Sequence, residues 1–238
     1  MGDRIKNVKT LVSWINEADS AVVLTGAGVS TESGIPDFRS ENGIYQKQNA
    51  FYVSTLENEY DRFHNFCKTL FGKYDNCKPN KAHRVFSKWE AKGLLDAVIT
   101  QNIDGLHQQA GSQNVIELHG TMQKASCMDC GKPAQIKDFF ERKKCQSCQG
   151  KLRPDIVLFG DQLPKEQLNK AFALCQKADL VIVVGTSLEV VPASELPFLS
   201  RGRKVLVNKE KLRKERLFDL TLYGSAGDIL ESVNKEML

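Results

Sequence analysis

Between residues 3 and 18, Ile5, Val8, Leu11, Val12 and Ile15 recur at the three- and four-residue spacing of one helix face. The pattern then changes. Ala21-Val22-Val23-Leu24 is a continuous apolar run, as expected of a strand buried on both faces, and it ends in Thr25-Gly26-Ala27-Gly28-Val29-Ser30. A strand, a glycine turn and a helix to follow is the opening of a nucleotide-binding α/β unit. Further strand-like runs occupy 97–100, 115–118, 156–159, 180–184 and 204–207. Helical patterns lie between several of them. Pro164 suits a first helical turn, with Leu168, Ala171, Phe172 and Cys175 on one face, and a last helix holds Ile229, Leu230 and Val233. Short apolar strands alternating with helices predict an α/β fold with a parallel sheet covered on both faces.

Two stretches break the alternation. Residues 38–74 carry nine of the nineteen aromatic residues in a polar, helix-leaning background, which predicts a small helical insertion with its own packing. Residues 127–148 are polar, basic and punctuated by cysteine.

The chain is 238 residues long, enough for one large domain with a smaller satellite, and its 41% apolar and 26% charged residues are ordinary for a globular protein. No apolar run approaches the roughly 18–20 residues that span a bilayer. The opening MGDRIKNVKT lacks an apolar signal core, and Lys6 stands where a myristoylation signal has Ser or Thr. A cytoplasmic protein is expected. The net charge of +4 is uneven: residues 124–151 hold seven Lys/Arg against three Asp/Glu, and 201–216 hold eight against two. These read as solvated faces, and so small an excess does not make nucleic acid the expected partner.

The strongest local signal is Cys127-x2-Cys130, fourteen residues, then Cys145-x2-Cys148. Two such knuckles place four thiolates on one tetrahedral Zn²⁺, and four sulfur ligands leave no open position, so the metal is structural. Redox activity of one Cys-x2-Cys pair is the alternative. Cys67, Cys77 and Cys175 have no partner at ligand spacing and read as ordinary core thiols.

Gly26-Ala27-Gly28 permits close backbone approach to a pyrophosphate. It lacks the third glycine of the dehydrogenase fingerprint, and no acid sits at a strand end about twenty residues on, which weakens a dehydrogenase reading. Gln101-Asn102-Ile103-Asp104 follows the run 97–100, where ligands bind in open α/β sheets, and these side chains can hold hydroxyls and a carboxamide. His119 ends the run 115–118 and is a candidate general base. Gly185-Thr186-Ser187 and Asn208 end two later strands and suit the adenosine half of a dinucleotide, with Asn208 in place of the usual ribose acid.

Taken together these pieces resemble the sirtuins, the NAD-dependent protein-lysine deacylases. The residues that carry the resemblance run in order: Gly26 to Ser30, Gly34-Ile35-Pro36-Asp37-Phe38-Arg39, Thr100 to Asp104, Leu118-His119-Gly120, the four cysteines, Arg153 to Gly160, and Gly185-Thr186-Ser187. They cover about residues 20–210, and the length is similar to a bacterial or archaeal catalytic core. The resemblance implies a Rossmann-like large domain from 1–38, 82–122 and 153–238. It implies a small domain from a helical module, 39–81, and a zinc ribbon, 123–152. NAD⁺ and an acyl-lysine peptide would meet in the cleft between them. Gly26, Ala27, Gly28 and Arg39 would hold the pyrophosphate side, and Ile35 and Asp37 would also bind the cofactor. Thr186, Ser187 and Asn208 would hold the adenosine, with Gly185 also binding the cofactor. Gln101, Asn102, Ile103 and Asp104 would form the ribose and nicotinamide pocket, with Asp104 on the carboxamide and Asn102 assisting catalysis. Phe38 would cover the reacting sugar. The acyl oxygen would attack the ribose carbon as nicotinamide leaves, and His119 would deprotonate a ribose hydroxyl that attacks the resulting imidate. The products would be free lysine, nicotinamide and O-acyl-ADP-ribose. The peptide would pair as a strand beside Gly160-Asp161 and Leu188-Glu189-Val190, with Val157, Phe159 and Val190 lining the lysine tunnel. Sirtuins that prefer acidic acyl groups carry Tyr-x-x-Arg in the helical module. Here Tyr60 is followed by Asp61, Arg62 and Phe63, so acetyl and other uncharged acyl groups are expected. A monomer is expected. Protein ADP-ribosyl transfer shares the NAD site and is the main rival, and a non-enzymatic zinc-ribbon binding module is the other.

Overall fold

A computed structural model describes residues 2–37, 43 and 51–237 of the chain. The elements begin with α1 (Gly2–Glu17), β1 (Ala21–Thr25), α2 (Val53–Asn58), α3 (Tyr60–Tyr74), α4 (Lys81–Ala91), β2 (Ala97–Thr100), α5 (Leu106–Gln109) and β3 (Val115–Glu117). They continue with β4 (Gly120–Cys127), β5 (Pro133–Gln135), α6 (Ile136–Phe140), β6 (Leu152–Ile156), α7 (Lys165–Lys177), β7 (Leu180–Val184), β8 (Arg203–Asn208), β9 (Leu220–Tyr223) and α8 (Ala226–Glu236). Six strands form one parallel sheet in the order β3-β2-β1-β7-β8-β9. This is the Rossmann order, and its switch point lies between β1 and β7.

The alternation of side chains along each strand builds two cores. Val23, Ile182 and Val205 face one side, against Leu11 and Ile15 of α1, Phe86 and Trp89 of α4, and Ile229 and Val233 of α8. Val22, Leu24, Val181 and Leu206 face the other, against Ala171 and Cys175 of α7 and Leu196. Every residue of β1 and β7 is buried, which is why these strands read as unbroken apolar runs. On α1 the helical spacing holds for Val8, Leu11 and Ile15, while Ile5 is exposed. No described helix is long and apolar enough to cross a membrane.

The small domain has a third core, built from two distant stretches. Phe51, Leu56, Phe63 and Cys67 pack against Met122, Ala125, Cys127, Phe139, Cys145 and Leu152. Its sheet is antiparallel, in the order β5-β4-β6.

Two expectations change. The strand predicted at 156–159 lies at Leu152–Ile156 and joins the small sheet. Residues 157–159 instead tie the two domains together: Val157 N–H donates to His119 O at 2.9 Å and Phe159 N–H to Phe51 O at 2.8 Å. Pro154 is tolerated because β6 is an edge strand. The helix expected after the glycine turn is a 3-10 segment, Ala27–Ser33, ended by Gly34 at φ 89°. Its start is pulled toward β7 by the bond from Gly28 N–H to Gly185 O, 2.8 Å.

His83 and His107 are buried, and their rings lie 4.7 Å apart. Burial pushes His83 down to about 4 and His107 well below the usual histidine range. The unfolded chain binds protons at these positions from about pH 6.5. The stability from keeping them neutral is therefore fully present above that pH and is lost as pH falls toward 4. Each histidine contributes up to about 1.4 kcal/mol per pH unit. Urea midpoints should drop between pH 7 and 5 while zinc content stays constant; a flat profile would contradict this.

Candidate active site and zinc centre

The site begins where β1 and β7 end side by side. Gly26 N–H donates to Val184 O at 3.1 Å, and Gly28 N–H to Gly185 O. The backbones approach so closely that side chains do not fit. A Cβ on Gly28 would lie 2.7 Å from Gly185 O, and one on Gly185 (φ 60°) 2.4 Å from Val29 N. This cradle opens into a cleft of about 610 Å³ at the C-terminal ends of the strands. Gly185→Ala should cost about 1–3 kcal/mol, lowering Tm by about 2–4 °C per kcal/mol, and should abolish the thermal shift produced by NAD⁺. Retention of a full NAD⁺ shift would show that the cradle is not the pyrophosphate seat.

The turn after β2 supplies the polar wall. Gln101 Nε2 donates to Thr186 Oγ1 at 3.0 Å, joining the ends of β2 and β7. Asn102 is buried; its N–H donates to Thr100 Oγ1 at 3.0 Å and its Nδ2 to Ser30 Oγ at 3.1 Å. Ser30 Oγ donates in turn to Asp104 Oδ2 at 2.7 Å, and Leu106 N–H to Asp104 Oδ1 at 2.9 Å. Burial raises the Asp104 carboxyl above the ordinary carboxylate range, and these hydrogen bonds oppose the rise. His119 lines the same cleft. Its Nδ1 lies 3.0 Å from Gln101 O, a carbonyl that can only accept. The proton therefore sits on Nδ1 and the basic lone pair on Nε2.

Val157, Phe159, Gly160 and Val190 line the same cleft. Phe159 packs on Tyr52, ring centroids 5.2 Å apart, and bridges to it through the backbone. Asp161 accepts from Arg153 Nη2 at 2.7 Å and from Leu158 N–H at 3.0 Å, which holds the loop after β6. A second cavity of about 960 Å³ lies between the zinc segment, α3 and the turn after β2. The two cavities share Ala27, Phe51, Asn102 and Ile103 as a wall.

The four predicted cysteines converge. Their sulfurs all lie within 4.8 Å of one another, with Cys127 Sγ 3.4 Å from Cys148 Sγ and Cys130 Sγ 3.7 Å from Cys145 Sγ. Four sulfurs about 2.3 Å from one tetrahedral Zn²⁺ stand about 3.8 Å apart, so the set fits that ion. Cys67 and Cys175 are fully buried elsewhere, with burial pushing each thiol up to about 12.

The Sir2 family model matches residues 26–192, the span from the glycine cradle to the far lip of the cleft. The chain belongs to the Sir2 family. It is 43% identical over 97% of its length to NAD-dependent protein deacetylase 2 of Geobacillus kaustophilus, covering 98% of that protein. It is 44% identical over 84% of its length to the NAD-dependent protein deacetylase of Thermotoga maritima, covering 86% of it. Among solved structures, a Sir2 variant with deacetylated p53 peptide and 3′-O-acetyl ADP-ribose superposes with a TM-score of 0.92 at 40% identity, covering 96% of this chain and 98% of that one. Sir2Tm bound to a propionylated peptide gives 0.89 at 39%, with the same coverage.

Within this Sir2 chain the predicted site residues are distributed unequally. Gly26, Ala27, Gly28, Asp37, Gln101, Asn102, Ile103, His119, Gly185, Thr186, Ser187 and Asn208 line the first cavity, while Ile35 and Asp104 line the second. Phe38 and Arg39 lie outside the described residues. Leu188 turns away: at φ 53° its side chain is buried in the core beneath α7, so only its backbone is available to a peptide. Glu189 does not line either cavity, whereas Val190 does. Sequence reasoning missed Ser30, which joins Asn102 to Asp104, and Phe51, which stands in the shared wall. It also missed Glu210, which lines the first cavity beside Asn208 and whose carbonyl accepts from Asn208 Nδ2 at 2.9 Å. Ser30 lay within the glycine motif, where its type alone carried a signal; Phe51 was one aromatic among nine.

Proposed function

We propose that this Sir2 protein removes acetyl and other uncharged acyl groups from lysine side chains of proteins, consuming NAD⁺ and releasing nicotinamide and O-acyl-ADP-ribose. The observation that carries this reading is a single cleft lined by a side-chain-free glycine cradle, by the apolar Val157, Phe159 and Val190, and by His119. NAD⁺ supplies the electrophilic ribose carbon and nicotinamide as leaving group.

The chain's own residues do the rest. Gly26, Gly28 and Gly185 admit the pyrophosphate, and Thr186, Ser187 and Asn208 take the adenosine. Gln101 and Thr186 hold each other where the reacting ribose must sit. Asn102 and Asp104, cross-linked through Ser30, present polar atoms to the carboxamide. Val157, Phe159 and Val190 shield the acyl-lysine from water, and the backbone beside Gly160 and Val190 pairs with the peptide. His119 Nε2 takes the proton from a ribose hydroxyl, while Nδ1 stays donated to Gln101 O. One chain holds every residue assigned, so a monomer suffices. Four reduced zinc thiolates suit the cytoplasm.

Tyr60 donates to Leu152 O at 2.7 Å, and Arg62 pairs with exposed Glu59, so neither offers an acyl carboxylate a partner. Incubation with NAD⁺ and a panel of acyl-lysine peptides, reading nicotinamide and peptide mass together, tests the reading. Acetyl-lysine should turn over at least about tenfold faster than succinyl-lysine, because an unpaired buried carboxylate costs more than 1.4 kcal/mol. Faster succinyl hydrolysis would overturn the acyl preference. Label from NAD⁺ retained on the protein would favour ADP-ribosyl transfer.

A further inference from the structure

β1 and β2 end in threonines, Thr25 and Thr100, that are register partners and almost wholly buried. The runs before them are apolar, and valine would serve the sheet equally well in shape. A buried hydroxyl is costly unless it is hydrogen-bonded. Both are. Thr25 Oγ1 donates to Thr100 Oγ1 at 2.8 Å, and Thr100 Oγ1 also accepts the N–H of Asn102. His107 Nε2 lies 3.0 Å from Thr25 Oγ1. With the threonine hydroxyl hydrogen committed to Thr100, His107 must donate Nε2–H, leaving its lone pair on Nδ1.

His107 is 1% exposed, and among the described residues Nδ1 has no hydrogen-bond partner. The neighbouring ring is His83. Its Nδ1 accepts from Asn80 N–H at 3.3 Å, so it carries its proton on Nε2, the other buried ring nitrogen without a partner. Burial keeps both rings neutral. The line runs buried through an otherwise apolar part of the sheet. Its one end in the site is Asn102, which stands in the wall between the two cavities.

We propose that His107, Thr25 and Thr100 are positioning residues for the reaction: through one line of hydrogen bonds they fix the backbone N–H of Asn102 and thereby aim its carboxamide. The proposal rests on the role given to Asn102 above. The chemistry predicts a kcat effect without a peptide-binding effect, since none of the three faces the peptide.

Thr25→Val, Thr100→Val, Thr100→Ser, His107→Leu and His107→Gln form the test set, with Tm and zinc content verifying that each is folded. Thr25→Val, Thr100→Val and His107→Leu should lower kcat for nicotinamide release about 10- to 100-fold, with KM for an acetyl-lysine peptide within about twofold of wild type. Thr100→Ser and His107→Gln, which keep the hydroxyl and an N–H donor, should recover much of the rate. Amide exchange of Asn102, read by NMR without NAD⁺, should be slow in the wild type and faster in the three disruptive variants. Folded Thr25→Val and His107→Leu proteins with unchanged kcat overturn the proposal, whether or not exchange has changed. If the wild type is inert toward every acyl-lysine peptide, the functional reading itself has failed. That case is told apart because the exchange difference between wild type and His107→Leu persists.

Discussion

His119→Ala, folded and zinc-loaded, should lose about 10²–10⁴-fold in deacylation, the contribution of a positioned general base. The geometry makes this the largest kinetic effect expected of one side chain. The Gln101 carbonyl leaves the imidazole only one tautomer, with the proton on Nδ1 and the lone pair on Nε2. His119 sits immediately before Gly120, whose φ of 72° and tight approach to Asp155 O hold the backbone in place. The ring is thus held by Gln101 O on a fixed backbone, and no other histidine can replace it, since His64, His83 and His107 are all buried. The NAD⁺ thermal shift should survive, because the cradle is untouched. Turnover near the wild-type rate would remove His119 from the reaction.

The second large effect is loss of zinc. Cys130 and Cys148 are the exposed ligands, so replacing either with serine removes a thiolate with little direct damage to packing. Cys127 and Cys145, by contrast, are part of the small-domain core with Phe63, Phe139 and Leu152. Structural zinc contributes about 10–16 kcal/mol of apparent binding energy in small domains, comparable with the whole stability of a typical protein, about 5–15 kcal/mol. Cys130→Ser should therefore lose its metal and become protease-sensitive across residues 123–152, while the parallel sheet stays folded. Activity should vanish with the metal, because the β4–β6 pairing that carries residues 157–159 into the cleft depends on that domain. Metal analysis, limited proteolysis and turnover on one sample check all three. A zinc-free variant with full activity would contradict the account.

Much of this was legible in the chain because the physics there is local. Strands buried on both faces must be apolar throughout, and 21–24, 97–100, 180–184 and 204–207 duly proved to be the centre of the sheet. Thiolate spacing is a property of the metal, so the four cysteines could be named together. What escaped is where partners are remote. β4 mixes buried and exposed positions and β5 has no buried residue at all, so neither leaves an apolar run. The run 156–159 was misplaced because only Ile156 belongs to a strand; Leu158 packs in the third core, while Val157 and Phe159 line the cleft and bond to His119 and Phe51. β9 hid for a related reason: as an edge strand after a basic stretch it is only partly buried. Ser30, Phe51 and the Thr25–Thr100–His107 line depend on pairings across 50 or more residues of chain, which composition and spacing do not encode.

The third core, shared by Phe51 to Cys67 and Met122 to Leu152, constrains the order in which the molecule can be made. The aromatic helices emerge during synthesis well before Met122, Phe139, Leu152 and the cysteines they will pack against. At about 5–20 residues per second, Phe63 and its neighbours wait several seconds for Phe139 and Leu152. During that interval the helices have only one another as apolar partners, as in the edge-to-face contact of Phe51 with Phe66. The last third of the chain then closes both large-domain cores at once, since β7 inserts beside β1. Completion of the parallel sheet and assembly of the metal site are therefore late events, and truncations before residue 152 should yield chains that aggregate and never become partially active enzymes.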